Sequence, residues 1–516
     1  MDKLETLKYY FGHDGFRPGQ EKLVDALLAG HDALGIMPTG AGKSMCYQIP
    51  ALMTPGITLV VSPLISLMKD QVMSLISAGV PAAYLNSSLT PRQLDLATER
   101  ACQGAYRIIY VAPERLDTLS FRRFAMNAPI SFIAVDEAHC VSQWGQDFRP
   151  SYLKIADFIE SLPKRPPVGA FTATATKRVR DDIIRFLRLQ HPVEAATGFD
   201  RPNLFFEVLQ PKHKDEALLE LLRERKDQSG IIYCATRKGV EDVADKLEDA
   251  GYSVGTYHAG MSDGDRQKNQ EAFQEDRIRV MVATNAFGMG IDKSNVNYVI
   301  HYNMPRSMEA YYQEAGRAGR DGSQASCILL YSAADIFTAK WMIDHAEPNE
   351  ELTAEERKAV RDEDLRRMES MISYCTDGRC LRGFILRYFG ETAPERCTTC
   401  GNCVKTHLAD VVSAIRKPKK RVPVVPHKEA PKEEPPVDPD NLFELLRRCR
   451  LDLAKRNHVA PYIICTDKTL EDMVRKRPQN LNALLKVDGM GVAKVNKYGS
   501  DFLLVIRRYA ATHPRA

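Results

Sequence analysis

The chain has 516 residues, of which 27% are charged and 44% hydrophobic, and its formal net charge at pH 7 is +4. This length exceeds what one hydrophobic core usually supports, so we expect three or four folding units. No stretch approaches the ~18 consecutive apolar residues of a membrane helix, which argues against helical membrane spans and a membrane partner. Twelve cysteines without an apolar signal sequence are typical of a reducing compartment, so we expect a cytoplasmic protein whose clustered cysteines bind metal.

Short apolar strands alternate with helical patterns over the first two thirds of the chain. The first stretch contains DALGI, ITLVVSPL, YRIIYVAP and SFIAVDEAH, and the second contains GIIYCAT, RIRVMVAT and VNYVIHYN. Such alternation predicts two α/β domains with parallel sheets, joined near residues 198–203. In folds of this kind, the loops at the carboxyl ends of the strands carry ligand-binding residues.

Residues 37–44, MPTGAGKS, lie between a strand pattern and a helical pattern. This context is typical of a phosphate-binding loop, in which Lys43 reaches the β and γ phosphates and Ser44 holds Mg²⁺. Met37 stands where the general pattern has its first glycine. The segment predicts ATP and Mg²⁺ as ligands. The residues expected to contact the nucleotide here are Thr39, Gly40, Gly42, Lys43 and Ser44.

The sequence DEAH at residues 136–139 directly follows the apolar strand SFIAV. Acidic residues at a strand end suit Asp136 for binding the Mg²⁺ and Glu137 for polarising the attacking water. Carboxylates buried for structural reasons are the alternative. Together with the phosphate loop, the pair predicts ATP hydrolysis.

The order of further segments resembles that of superfamily 2 helicases. FRPGQ at residues 16–20 resembles the adenine-reading motif, and the resemblance implies that Gln20 hydrogen-bonds the base and that Arg17 supports it. VVSPLISLMKDQ and YVAPERL resemble strand-gripping motifs, and FTATAT at residues 171–176 resembles the motif that couples hydrolysis to movement.

Three later segments, YHAGM, VATNAFGMGIDK and YYQEAGRAGRDG, resemble the motifs of the second helicase domain. In the last of them, Arg317 and Arg320 are three residues apart, so on a helix they share one face and reach a phosphate held by the other domain. We expect Arg320 to act as an arginine finger and Arg317 to assist it. The resemblance also assigns Gln313 to the nucleotide site. A solvated GRAGR loop is the alternative.

The segment HCVSQWGQDFRPSYL, which follows DEA, resembles the aromatic-rich loop of RecQ helicases. Trp144, Phe148 and Arg149 would stack on bases of a nucleic acid and report strand occupancy to the ATP site. The alternative is that Trp144 and Phe148 are core residues.

Four cysteines are spaced C-x16-C-x2-C-x2-C: Cys380, Cys397, Cys400 and Cys403. Four thiolates at this spacing suit tetrahedral Zn²⁺, and RecQ helicases carry a similar site after the motor. Zinc with four protein ligands has no open position, so we expect a structural role. Spacing leaves Cys375 as a fifth candidate, the resemblance favours Cys380, and a redox pair is the alternative.

Residues 408–440 are rich in proline and lysine, which predicts a linker. Residues 441–516 return to helical periodicity and resemble the HRDC domain of RecQ helicases and RNase D. They carry 15 Lys and Arg against 7 Asp and Glu, so we expect them to bind DNA phosphates. The GMG sequence at residues 489–491 either presents backbone N–H groups to a phosphate or only turns the chain.

Two departures from the RecQ pattern matter. His13 stands where the family commonly has a tyrosine that stacks on adenine, which bears on the preference for adenine. The winged-helix domain expected before the HRDC-like tail is missing, because only residues 404–440 lie there and most of them form the predicted linker. The second departure bears on duplex unwinding.

The expected fold class is α/β, with two RecA-like parallel-sheet motor domains, a helical zinc-binding module and a small all-α HRDC-like domain. The resemblance implies an ATP-dependent 3′–5′ DNA helicase for repair and recombination that uses ATP, Mg²⁺ and Zn²⁺. It would bind single-stranded and forked DNA, with a single-strand-binding protein as a further partner. The alternatives are a DNA translocase with little unwinding, an RNA helicase, and a non-catalytic DNA-binding or annealing protein. The expected boundaries are residues 1–200, 201–340, 341–407 (zinc module), 408–440 (linker) and 441–516.

Overall fold

The computed structural model describes residues 1–63, 65–145, 147–287, 293, 295–346, 353–406, 441–457 and 459–513, apart from the side chain at position 66. The predicted linker at residues 408–440 lies outside the described residues, as do residues 288–292 of the VATNAFGMGIDK segment. Within the described ranges, no helix combines the length and apolar character needed to cross a lipid bilayer.

In the described part of the first motor domain, seven parallel strands form the sheet. They are β1 (Ala33–Ile36), β2 (Ile57–Val61), β3 (Ala82–Leu85), β4 (Ile108–Val111), β5 (Ile130–Val135), β6 (Val168–Thr172) and β7 (Val193–Ala196). Their order is β3-β4-β2-β5-β6-β1-β7. Every residue of β1, β2 and β4 is buried, because helices cover both faces of the sheet. Strands β1 and β5 flank β6, so the loops that follow them meet at one edge of the sheet.

Among the described residues of this domain, nine α-helices are formed. They are α1 (Lys3–Phe11), α2 (Gln20–Leu28), α3 (Met45–Met53), α4 (Ile65–Ser77), α5 (Pro91–Cys102), α6 (Leu119–Asn127), α7 (Pro150–Leu153), α8 (Ile155–Ser161) and α9 (Lys177–Phe186). The local sequence explains where several of these helices begin. Asp2 and Glu5 form a capping box at α1, and Thr90 and Gln93 form another at α5, each satisfying backbone N–H groups of the first turn.

The sheet of the second motor domain has six parallel strands within the residues that the structure describes. They are β8 (Leu204–Leu209), β9 (Gly230–Tyr233), β10 (Val254–Tyr257), β11 (Val280–Ala283), β12 (Tyr298–His301) and β13 (Ala325–Leu330), in the order β10-β11-β9-β12-β13-β8. The helices that accompany them are α10 (Lys214–Arg223), α11 (Arg237–Asp249), α12 (Asp263–Gln274) and α13 (Met308–Ala315).

A helical module follows the second sheet. It contains α14 (Ala333–Asp344), α15 (Ala354–Thr376) and α16 (Leu381–Tyr388), and α15 packs against α13 and α14. The backbone N–H of Phe206 in β8 donates to the carbonyl of Thr399 at 3.1 Å, and the N–H of Gly401 donates back to the carbonyl of Phe206 at 2.9 Å. The cysteine-rich segment is therefore hydrogen-bonded directly to the edge of the second sheet.

The last described ranges form a separate helical bundle, called here the HRDC-like module. Its helices are α17 (Leu442–Asn457), α18 (Pro461–Ile464), α19 (Asp467–Lys476), α20 (Leu481–Leu484) and α21 (Val492–Thr512). Leu446, Tyr498 and Phe502 are among its fully buried side chains. The bundle lies on the motor, with α21 against α1 and α18 against α4. The expected fold class is confirmed.

Candidate ATP site, aromatic-rich loop and zinc centre

The phosphate loop, residues 37–44, joins the carboxyl end of β1 to the start of α3. Gly40 and Gly42 have φ angles of +83° and +81°, a backbone conformation that residues other than glycine rarely adopt. The Lys43 ammonium donates a hydrogen bond to the carbonyl of Met37 at 3.1 Å, which folds its side chain back across the loop. Burial lowers the pKa of Lys43, and the carboxylates of Glu137 and Asp136 oppose that shift. A phosphate chain would supply the same kind of negative partner.

Gln20 and Arg17 lie on the backbone of the phosphate loop. The side-chain amide of Gln20 donates to the carbonyls of Ala41 and Gly42 at 3.1 and 2.9 Å, and the Arg17 guanidinium donates to the carbonyl of Gly40. The backbone N–H of Arg17 donates to Gln20 Oε1 at 2.8 Å, which holds the two residues together. The residues expected to read the base are thus joined to the loop expected to hold the phosphates.

Asp136 follows the last residue of β5, and its carboxyl group is buried beside the phosphate loop. Burial, with the charge of Glu137, raises the pKa of Asp136 to about 7, and the Lys43 ammonium opposes this. A divalent cation held between Asp136 and the Ser44 hydroxyl would favour the ionised carboxylate, so these oxygen donors fit Mg²⁺. Glu137 has a φ of +47°, a strained conformation for a non-glycine residue of the kind concentrated at functional sites.

His139 connects the DEAH segment to the coupling segment. Its Nδ1 atom lies 2.9 Å from the Thr172 hydroxyl, at the end of β6, and 3.3 Å from Glu137 Oε2. Burial lowers the pKa of His139, an effect that Glu137 opposes. The Tyr152 hydroxyl donates to the backbone carbonyl of Asp136 at 2.9 Å. The FTATAT segment is therefore linked to Glu137, one of the carboxylates expected to be catalytic, through His139.

Arg317 and Arg320 follow helix α13 rather than lying on it. The helix ends at Ala315, and residues 316–320 form a turn, so the expectation that both arginines share a helix face is wrong. The physical reason is the pair of glycines, since Gly316 caps the helix and Gly319 has a φ of +55°. The side chain of Gln313, within α13, borders the same cavity as Lys43.

The turn at residues 316–320 lies directly against the phosphate loop of the other domain. A Cβ atom added to Gly40 would lie 3.5 Å from the Cα of Arg320, and one added to Gly316 would lie 3.4 Å from Thr39 Cβ. The two domains therefore meet at the expected nucleotide site in a closed arrangement. Arg320, with Arg317 beside it, borders the cavity that Lys43, Asp136 and Glu137 also line.

Arg201 joins the two sides of this cleft and was missed by the sequence analysis. Its guanidinium donates to the carbonyl of Thr39 at 2.5 Å and to the carbonyls of Ala318 and Gly319 at 3.2 and 3.0 Å. Burial lowers the pKa of Arg201. Arg201 lies at the predicted junction between the two domains, near residues 198–203, and this position could have indicated a role in the cleft. A single arginine forms no periodic pattern, so the sequence did not single it out.

The aromatic-rich loop lies between the DEAH segment and the zinc module. The Arg178 guanidinium sits 3.4 Å from the centroid of the Trp144 ring, and Arg367 of α15 donates to the Trp144 carbonyl. Arg149 pairs with Asp147 at 2.9 Å and donates to the Pro63 carbonyl at 3.0 Å.

Trp144 and Phe148 are each partly exposed, and the Trp144 ring also packs against the hydrophobic core. The three residues expected to contact nucleic acid thus lie in one stretch of the chain, a few residues after Asp136 and Glu137. Their contact with nucleic acid stays a prediction.

Four sulfur atoms converge at the start of α16. The Sγ atoms of Cys380, Cys397, Cys400 and Cys403 all lie within 4.8 Å of one another. Backbone N–H groups point at two of them, from Gly383 to Cys380 at 3.3 Å and from Cys397 to Cys403 at 3.4 Å, as suits thiolate ligands. This donor set fits tetrahedral Zn²⁺. Cys375 lies outside the group, buried on α15, where burial raises the pKa of its thiol.

Two RecA-like sheets with a phosphate loop, a DEAH pair and arginines facing them across a cleft define a helicase-type ATPase motor. The chain matches the family descriptions DEAD/DEAH box helicase over residues 17–183, helicase conserved C-terminal domain over residues 213–322, RecQ zinc-binding over residues 333–404 and HRDC domain over residues 440–506.

Named relatives agree with these matches. The ATP-dependent DNA helicase RecQ of Bacillus subtilis is 38% identical over 98% of both chains, and that of Haemophilus influenzae is 35% identical over 98% of this chain and 96% of its own. The S. cerevisiae Dbp5 structure bound to RNA has a TM-score of 0.52 at 18% identity, over 69% of this chain and 94% of its own, a likeness of fold alone. The chain belongs to the RecQ family of ATP-dependent DNA helicases.

Proposed function

We propose that this protein uses ATP hydrolysis to move 3′→5′ along single-stranded DNA and to separate the duplex ahead of it, in repair and recombination in the cytoplasm. The observation that carries the proposal is the meeting of the turn at residues 316–320 with the phosphate loop, bridged by Arg201. Since the two sides belong to different domains, hydrolysis depends on domain closure, and closure is the movement that a translocase needs.

Each side chain of the cleft has a chemical task in this proposal. Lys43 binds the β and γ phosphates, and Ser44 and Asp136 hold Mg²⁺, which would neutralise charge on the phosphates. Glu137 orients the attacking water and accepts its proton, and His139 Nδ1 lies 3.3 Å from its carboxylate. Arg320 stabilises the charge that develops on the transferred phosphoryl group, and Arg317 supports it.

On the nucleic-acid side, Trp144, Phe148 and Arg149 are proposed to contact the bound strand. Only a short stretch of chain joins this loop to Glu137, so strand binding at the loop would alter the position of Glu137. This connection supports stimulation of the ATPase by DNA. The basic surplus of the HRDC-like module supports additional contacts to phosphates. We further propose that forked DNA is a substrate and that a single-strand-binding protein is a partner.

The test measures ATP hydrolysis with and without single-stranded DNA or RNA, and strand displacement on duplexes with a 3′ tail, a 5′ tail or blunt ends. We expect DNA-stimulated hydrolysis and displacement of the 3′-tailed duplex. Glu137→Gln serves as the inactive control against contaminating ATPases. Preferential stimulation by RNA would favour the RNA helicase, and displacement only from 5′ tails would refute the polarity.

A second candidate, a translocase that unwinds little, is favoured by the length of the chain. The alignment with the Bacillus subtilis RecQ runs over 588 positions, more than the 516 residues of this chain, so the relative has segments that this chain lacks. DNA-stimulated hydrolysis without strand displacement on any tailed duplex would select this candidate.

A further inference from the structure

The GMG sequence of the HRDC-like module is bonded to the motor. The backbone N–H of Gly489 donates to the carbonyl of Gly12, directly after α1, at 3.1 Å. A Cβ atom on Gly491 would lie 2.5 Å from the carbonyl oxygen of Tyr10, and one on Gly12 would clash with the backbone nitrogen of Met490. Only glycines allow this approach of two backbones. In this arrangement the Gly489 N–H is used by the motor and is not available to a phosphate.

A side-chain contact lies next to the backbone contact. Asp488 Oδ1 is 3.0 Å from His13 Nδ1. His13 belongs to the segment that leads into Arg17 and Gln20, and both His13 and Arg17 line the cavity that contains Lys43. The cavity has a volume of roughly 900 Å³. Residues of the module also line this cavity, among them Lys468, Asp488 and Lys494.

A three-way contact joins the module to both motor domains. Gln274, at the end of α12 in the second domain, donates to Asp70 of α4 in the first domain at 3.0 Å. The Tyr462 hydroxyl of the module lies 3.3 Å from the same Asp70 carboxylate and 3.4 Å from the Gln274 amide. These three side chains come from three different domains, so this geometry requires the closed cleft.

A charged contact ties the module to the second domain. The side chain of Asp276 is buried and pairs with Lys293 at 2.5 Å, and Arg447 of α17 lies 3.7 Å from its other oxygen. Burial alone would raise the pKa of Asp276, but Lys293 and Arg447 outweigh it and lower the pKa to about 2. The nearest cation to this enclosed carboxylate is Lys293 of its own domain, and Arg447 of the docked module is a second cation beside it, so docking adds a favourable charge contact.

We infer that the HRDC-like module docks as a third wall of the ATP cleft, bridging the two motor domains when they are closed, and that Asp488 positions the His13 ring for the adenine base. A body whose contacts span both domains binds the closed arrangement more tightly than the open one, so docking favours closure. ATP affinity then depends on the position of the module. The inference deepens the proposed ATPase function, but its test requires no unwinding.

The test compares charge reversals at adjacent positions in the full chain. Arg447→Glu removes the contact with Asp276, whereas Arg448→Glu makes the same change of net charge on an exposed neighbour. We expect Arg447→Glu to raise KM for ATP about tenfold, the effect of a charge-assisted contact, with kcat within about twofold. Amide hydrogen exchange should rise together in residues 9–13 and 486–495. Arg448→Glu should change none of these quantities.

Two more variants separate the parts of the inference. The φ angle of Gly491 is −70°, which alanine also adopts, so Gly491→Ala should leave the fold of the module intact. The added methyl group would push the module away from Tyr10, so this variant should show the same rise in KM for ATP as Arg447→Glu. Asp488→Asn should raise KM for ATP more than KM for GTP, while Asp452→Asn, an exposed change in the same module, should alter neither. Equal KM values in Arg447→Glu and Arg448→Glu, or increased exchange without a change in KM, would overturn the inference. If the unmodified protein showed no stimulation of ATP hydrolysis by DNA, that result would instead count against the proposed function.

Discussion

The guanidinium of Arg201, from the segment between the two sheets, donates a hydrogen bond of 2.5 Å to the carbonyl of Thr39 in the phosphate loop. The same side chain donates to the carbonyls of Ala318 and Gly319 in the turn that carries Arg317 and Arg320. One forked cation therefore fixes the distance between the phosphate site and the expected arginine finger. Lysine has no such planar fork.

We expect Arg201→Lys to lower kcat for DNA-stimulated ATP hydrolysis about tenfold. An ammonium group cannot bond to the Thr39 carbonyl and to the carbonyls of the turn at residues 316–320 at the same time. KM for ATP should change less, since Arg201 bonds to protein carbonyls in the closed cleft. Steady-state kinetics over a range of ATP concentrations measure both. Arg223→Lys, on an exposed side chain of α10, is the matched control, and an equal loss in that variant would contradict the role of Arg201.

Lys43→Ala should abolish ATP hydrolysis while binding of single-stranded DNA stays near that of the unmodified protein. The ammonium is enclosed beside Asp136 and Glu137, and the residues proposed to contact the strand are Trp144, Phe148 and Arg149, so its removal should affect the phosphates and leave the strand contacts in place. Phosphate release and fluorescence anisotropy with a labelled oligonucleotide report the two properties separately. Substantial residual hydrolysis would refute the assignment of the phosphate loop.

Arg320→Ala should reduce kcat roughly 10³-fold or more with little change in ATP affinity, because a finger acts mainly on the transition state. Arg317→Ala should have a smaller effect. Nucleotide binding measured with a non-hydrolysable analogue checks that the ground-state affinity is retained. If kcat were unchanged in Arg320→Ala and reduced in Arg317→Ala, the two roles would have to be exchanged.

Cys400→Ser should lower the zinc content of the purified protein and the thermal stability of the region between Cys380 and Cys403, since bound metal supplies folding free energy locally. Cys375→Ser is the control, because Cys375 is buried nearby but lies outside the group of four sulfur atoms. Elemental analysis should find zinc in the control and a deficit in Cys400→Ser. Absence of zinc from the unmodified protein would refute the metal assignment.

Local patterns were sufficient for the parts of the molecule that depend on neighbouring residues. The apolar runs before the phosphate loop and before DEAH form β1 and β5, because strands covered on both faces are continuously apolar. The helical periodicity after residue 441 likewise predicted the HRDC-like bundle. The expected helix at Arg317 and Arg320 was wrong, because spacing of three suggests a shared face only if no glycine interrupts the helix.

Contacts between distant segments were beyond the reach of those patterns. His13 and Asp488 are 475 positions apart, and neither position has a periodicity that points to the other. The basic surplus of the tail predicted contacts with DNA phosphates, and nothing in that pattern indicated that Gly489 and Gly491 lie against the end of α1. Backbone approach of this kind depends on the absence of side chains on both partners, which a single sequence does not reveal.

The last prediction concerns duplex unwinding and follows from the short span between the zinc module and the HRDC-like module. Only residues 404–440 lie there, and their prolines and mixed charges are unsuited to the winged-helix domain that grips the duplex in RecQ helicases. Opening each base-pair step opposes stacking of about 1.4 kcal/mol, so a motor with a weaker duplex grip slips back more often.

We therefore expect strong stimulation of the ATPase by single-stranded DNA, with unwinding limited to forks and short duplexes that have a 3′ tail. The measurement is single-turnover displacement on tailed duplexes of about 20 and about 300 base pairs, lengths that lie on either side of one DNA persistence length. The short duplex should open and the long one should reanneal behind the enzyme. Processive opening of the long duplex would mean that another element separates the strands, and the zinc module, hydrogen-bonded to β8 at the edge of the second sheet, would be the first place to look for it.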